Sequence, residues 1–170
     1  KNSKDLGAAI NDSTLVVMGG GPLMDLSELF MVEYAFKLAK KNHIKTALLG
    51  CGIGPLFQDK FKVSVFNIIK NSDLVILRDA QSKINLQEIF KQFRQDLNSL
   101  NVHVGIDPAV ECCIKYSQVS TASPKKYIAV NVRDFPIDYS ETDMVDTINN
   151  KIVAFVKKIS KQYSDREIRL

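Results

Sequence analysis

The chain has 170 residues, 45% hydrophobic and 25% charged, with 23 Lys and Arg against 19 Asp and Glu for a formal charge of +4. This is the composition of an ordinary globular protein, long enough for one sizeable core or for one domain and part of another, and it excludes a disordered or low-complexity chain. The basic residues are scattered along amphipathic segments and form no stripe with interleaved aromatics, so a small anionic ligand is expected and nucleic acid is not.

Residues 1 to 12, with Leu6, Ala9 and Ile10 apolar, read as the end of a helix, and Asn11-Asp12-Ser13 as the turn that leaves it. Leu15 to Met18 is a short, wholly apolar run of the kind found in fully buried parallel strands. Gly19-Gly20-Gly21 ends it, and three residues without a Cβ allow a tight turn and close approach to backbone N–H donors, which suits an anion or simple packing. Asp25 and Glu28 stand three apart ahead of Leu29, Phe30 and Val32, the spacing of a capping box with Asp as the cap. The next helix runs to Lys40 and Lys41.

Thr46 to Leu49 is a second buried strand, followed by the glycine-rich Gly50-Cys51-Gly52-Ile53-Gly54-Pro55. This G-x-G-x-G-P is not the G-x-G-x-x-G of dinucleotide enzymes, and Arg78, not an acid, follows the next strand, so a nicotinamide cofactor is not expected. Cys51 reads as a small buried side chain, and three cysteines without C-x-x-C spacing imply neither a disulfide framework nor a zinc site. No grouping of His, Cys and acids has metal-ligand spacing, and neither His43 nor His103 has a catalytic spacing.

Phe61, Val65, Ile68 and Ile69 mark the apolar face of the next helix, which leads to the strand Leu74 to Leu77 and then Arg78-Asp79. Asp79 with Ser82 is placed to cap a helix carrying Ile84, Ile89, Phe90 and Phe93. Arg78 falls at the carboxyl edge of the sheet, where open α/β proteins bind ligands, or else pairs with Asp79 or Asp107. Val102 to Val104 is a further strand, followed by Gly105-Ile106-Asp107-Pro108. Residues 117 to 126 are small and polar and read as a linker, with a domain boundary near Ser120. Tyr127 to Val132 is then a strand ending in Arg133-Asp134. Met144, Ile148, Ile152, Phe155 and Ile159 recur at helical spacing, and Arg169-Leu170 opens another strand. The alternation of strand and helix predicts an α/β fold with a parallel sheet in Rossmann-like layers.

The ordered series GGGP-L-M-D, G-C-G-I-G-P, R-D-A-Q-S, D-P-A and I-A-V-N-V-R, from about Leu15 to Arg133, resembles the polysaccharide pyruvyl transferase family. The resemblance implies a two-lobed, GT-B-like architecture with two Rossmann-like halves, of which residues 1 to 119 are a first-lobe segment lacking its N-terminal part. Residues 120 to 170 are then the linker and the start of a truncated second lobe. It also implies an enzyme that moves an enolpyruvyl group from phosphoenolpyruvate onto a pair of sugar hydroxyls as a ketal, in cell-surface polysaccharide biosynthesis. Phosphoenolpyruvate is a donor substrate here, and no cofactor or metal is expected. The chain departs from the family pattern at Pro22, where a fourth glycine is usual and an N–H donor is lost, and at Cys51. The family's N-terminal glycine loop and the Arg/His motif of its second lobe are absent, so the chain is expected to be an excised piece that cannot complete catalysis alone.

The chemistry sets its own demands. A helix N-terminus contributes only about 0.3 to 1 kcal/mol toward an anion, whereas millimolar binding needs roughly 4 kcal/mol. Charge-assisted hydrogen bonds at about 1.5 to 3 kcal/mol each close that gap. Arg78 and Arg133 are the expected phosphate or carboxylate ligands, with Gly19, Gly20, Gly21, Gly52 and Gly54 supplying the substrate-binding loops and Asp25 the catalytic base. Two other readings stay open: a two-lobed sugar-nucleotide glycosyltransferase, and a non-catalytic binding module. The N-terminus has no signal-peptide features and no apolar run nears the roughly 20 residues that span a bilayer, so the expected location is the cytoplasm.

Overall fold

A computed structural model describes residues 3–54, 56–117, 127–131 and 142–169. The chain divides into two compact units, residues 1–118 and 119–170. The first begins with α1 (Ser3–Asn11) and β1 (Leu15–Gly19), then β2 (Pro22–Leu23), α2 (Glu28–Lys41), β3 (Lys45–Ile53), α3 (Asp59–Lys70), β4 (Leu74–Leu77), α4 (Ala80–Gln92), β5 (Val102–Val104) and α5 (Ala109–Ser117). Every described strand pair is parallel. The order is β1-β3-β4-β5, and the two-residue β2 adds to the carboxyl-terminal end of β3 through Pro22↔Gly52 and Leu23↔Ile53.

Strands laid down in one direction, each joined to the next by a right-handed crossover, put successive helices on the same face of the sheet. Accordingly α2 packs on α1 and α3, and α3 on α4. The core forms between that helical layer and one face of the strands: Phe36, Ile68, Ile69, Leu86 and Phe90 meet Leu48, Val75 and Leu77. Phe66 stacks on Phe93 with ring centroids 4.4 Å apart and closes the α3–α4 seam.

Three expectations are corrected. Leu15 to Met18 is not fully buried: β1 alternates, with Leu15 51% and Val17 47% exposed, because helices of the unit cover only one face of this strand. The segment Gly50-Cys51-Gly52-Ile53 is not a loop but the end of a nine-residue strand, paired with β2 on one side and β4 on the other. The register slips between Leu49 and Cys51, and Gly50 takes up the extra residue as a bulge with φ 63°. A helix not foreseen from sequence, α5, comes after Pro108 and has no buried residue.

The second unit is one parallel strand–helix–strand motif, β6 (Tyr127–Ala129), α6 (Thr142–Gln162) and β7 (Glu167–Arg169). Ile128 pairs with Ile168 across the two strands, and Arg169 lies 4.7 Å from the Tyr127 ring centroid while bonding Glu167. The boundary expected near Ser120 falls outside the described residues, as do Val132 and Arg133. Among the described residues no helix is long and apolar enough to cross a membrane.

Candidate functional site

β1, β3, β4 and β5 end on one rim, and four sequence features meet there. β1 runs into Gly20-Gly21, where Gly20 adopts φ 72° and a Cβ built on it would meet nothing within 4 Å. The Gly20 N–H is engaged, donating to the Leu49 carbonyl at 3.2 Å. Beside the loop, the Cys51 Sγ lies 3.6 Å from the Met18 carbonyl oxygen. Burial pushes the Cys51 thiol up, against the opposing pull of the Gly21 and Leu49 backbone groups and the Arg78 charge. Cys51 is therefore a neutral packing group at physiological pH, as its sequence context implied.

β4 delivers Arg78. Its backbone N–H donates to the Cys51 carbonyl at 3.0 Å, continuing the ladder for one step beyond the strand. Its Nε donates to Asp79 Oδ2 at 3.2 Å, and both side chains are partly open to solvent, 39% and 45%. Asp79 is shared, because its Oδ1 accepts the Ser82 N–H at 2.7 Å and caps α4 as expected. That backbone bond from Ser82 is the main force holding the Asp79 carboxyl below the usual carboxylate range, with Arg78 adding to it. The ion pair foreseen as the bland role of Arg78 is present, and half of its acid is occupied elsewhere.

Asp25 is 5% exposed and sits just after β2. The capping box does not form: α2 begins at Glu28 after Ser27, which makes no side-chain cap bond. Instead Asp25 Oδ2 accepts two backbone N–H groups across the rim, from Phe57 at 3.0 Å and Gln58 at 3.1 Å. Gln58 is the residue before α3, so Asp25 braces the β3–α3 loop and places its negative charge at the positive end of that helix. To serve as a base it must act while holding this brace.

Sequence reasoning missed the grip of α4 on β3. Ser82 Oγ accepts the Ile53 N–H at 2.9 Å, and Asn85 Nδ2 donates to the Ile53 carbonyl at 2.8 Å. The i, i+3 spacing of Ser82 and Asn85 on the first turns of a helix is a signal for such a clamp, but it becomes legible only once Ile53 is known to be strand. At the far side, the β5–α5 loop packs on the bulge: a Cβ on Gly50 would stand 2.9 Å from the Ile106 carbonyl and would overlap Pro108. Asp107 Oδ1 turns inward to its own helix, accepting the Ala109 N–H at 3.0 Å.

The structure thus brings Gly52 and Arg78 into contact, and β2 carries Gly54 alongside, its N–H donating to the Leu23 carbonyl at 3.0 Å. Arg133, the second expected anion ligand, lies outside the described residues. Among the described residues no three His, Cys, Asp or Glu side chains converge to hold a metal ion.

This parallel α/β unit carries an exposed glycine turn and a guanidinium on its carboxyl rim, the edge at which open α/β sheets bind their ligands. The family model for polysaccharide pyruvyl transferases matches residues 1–170, and the chain belongs to that family. No curated protein and no solved structure matches it.

Proposed function

We propose that this protein transfers pyruvate from phosphoenolpyruvate to two hydroxyls of a sugar, forming a ketal during polysaccharide biosynthesis. Family membership implies polysaccharide pyruvyl transfer. The observation that carries the finer reading is Arg78, a half-exposed guanidinium at the carboxyl end of β4, within one strand of the glycine turn. The reaction needs a proton on the methylene carbon, attack of a sugar hydroxyl on the adjacent carbon, and departure of phosphate with its charge stabilised. Arg78 supplies a fixed positive charge for the phosphate or carboxylate of the donor. Gly19, Gly20, Gly21 and Gly54 keep side chains away from the space the donor enters. Asp25 is either the general base or the brace that shapes the β3–α3 loop beside it.

In this reading residues 120–170 begin the second Rossmann-like lobe of a two-lobed, GT-B-like enzyme, supported by the parallel strand–helix–strand motif of β6, α6 and β7. The donor is a substrate, and neither cofactor nor metal is assigned. The test is phosphate release by the full-length protein given phosphoenolpyruvate and a polysaccharide acceptor. Turnover is expected, and Arg78→Ala should lose it without lowering the melting temperature. Stabilisation by a nucleotide-sugar, with none by phosphoenolpyruvate, would contradict the reading.

A further inference from the structure

β3 outruns β4, so its last residues are walled by Arg78 and Asp79, just past the end of β4. A Cβ built on Gly52 would stand 2.6 Å from Arg78 Nε, 2.7 Å from Cζ and 2.8 Å from Nη2. The guanidinium therefore lies in the space that any other residue at 52 would fill. We propose that Gly52 is a positioning residue for Arg78: the missing side chain makes a slot that fixes the guanidinium on the rim, ready for the anionic donor. This rests on the reading of Arg78 as a donor ligand, and it gives Gly52 a role other than offering its own backbone to the substrate.

The slot has a rigid floor and a rigid wall. The floor is the β3 backbone, clamped one residue on by Ser82 and Asn85 through the N–H and the carbonyl of Ile53. The wall is Asp79, which holds Arg78 Nε through one carboxylate oxygen and is pinned to α4 through the other. A long, flexible arginine is thereby held before the ligand arrives, so binding spends less conformational entropy on ordering it. The neighbouring glycines differ. Gly50 faces backbone and a proline ring, and Gly54 has only ordinary contacts, 3.5 Å from Met24 Cβ and 3.6 Å from the Leu23 carbonyl.

The chemistry of the contact makes a clean experiment. The atoms a Cβ would displace belong to the far end of a flexible side chain, so Gly52→Ala is expected to fold and to evict the guanidinium. On the full-length protein, phosphoenolpyruvate binding by calorimetry and the donor KM should each weaken about 10-fold or more in Gly52→Ala, the scale of one charge-assisted hydrogen bond. The melting temperature of Gly52→Ala should stay near the parent value. The deciding result is the double variant: Gly52→Ala with Arg78→Ala should bind no more weakly than Arg78→Ala alone, because the slot has nothing left to position. Unchanged donor affinity in Gly52→Ala, or penalties that multiply in the double variant, would overturn the proposal. If Arg78→Ala itself leaves donor binding intact, the functional reading of Arg78 falls instead, and this inference falls with it.

Discussion

The two edges of the first unit's sheet are built from similar charges and put them to opposite uses. At the amino edge, Asp73 precedes β4 and is saturated: its Oδ2 accepts the Thr46 N–H at 2.9 Å, and Lys45 and Lys40 pair with its Oδ1 at 3.3 and 3.6 Å. Thr46 Oγ1 closes the knot by donating to the Asn71 carbonyl at 2.7 Å. At the carboxyl edge Arg78 comes at the end of the same strand, but its acid is half spent on capping α4, and its guanidinium faces Gly52. Closed charge pairs stitch strand starts together. A half-exposed cation whose acid is shared, facing a glycine, is the arrangement on which the proposed donor site rests.

Substitutions at the two edges should therefore separate into different readouts. The largest effect expected is on turnover at the carboxyl edge, where Arg78→Ala costs about 100-fold or more in kcat/KM. The same change leaves stability within about 1 kcal/mol, because the pair it breaks is exposed. Next comes Asp25→Ala, which strips two backbone donors of a charged acceptor and should cost about 2 to 4 kcal/mol in chemical denaturation. Asp25→Asn keeps an acceptor oxygen and sharpens the point. If the residue is a brace, Asn retains most of the stability and much of the rate; if it is the base, the rate falls while the fold survives.

Gly50→Ala should destabilise by about 2 to 3 kcal/mol, since the left-handed backbone and the Pro108 contact both resist a Cβ. Gly54→Ala, four residues on, should move stability by no more than about 0.5 kcal/mol. The smallest effect near neutrality is that of acid. For Asp73 burial pulls upward, but the Thr46 N–H and the two lysines outweigh it and hold the carboxyl below its ordinary value. For Asp79 the Ser82 bonds do the same with little burial to oppose them. A carboxyl depressed in the folded state stabilises above its unfolded pKa and loses that contribution as pH falls through the folded one. Melting temperature should then be flat near neutrality and drop below about pH 4, and Asp73→Asn should shrink that drop while leaving donor KM unchanged.

How much the sequence revealed depends on the range of the interactions. Arg78 was legible because Leu74 to Leu77 is a bare apolar run ended by a charge. The Asp79 cap was legible because its partner Ser82 is three residues away. The role of Asp25 was not, since Phe57 is 32 residues distant and only the fold brings the two together. For Gly50 to Ile53, local composition argued for a loop. Pairing to β2 and β4 and the clamp from α4 overrode it, an outcome that depends on tertiary context. The bulge at Gly50 was not read either, because a glycine marks a bulge only once the segment around it is known to be strand.

The central claim is that the carboxyl rim presents Arg78 to an anionic donor. Calorimetric titration of phosphoenolpyruvate into the full-length protein and into Arg78→Ala tests it directly. Saturable binding to the native protein, weakened about 10-fold or more in the variant, is the expected result; equal affinity in both would contradict it.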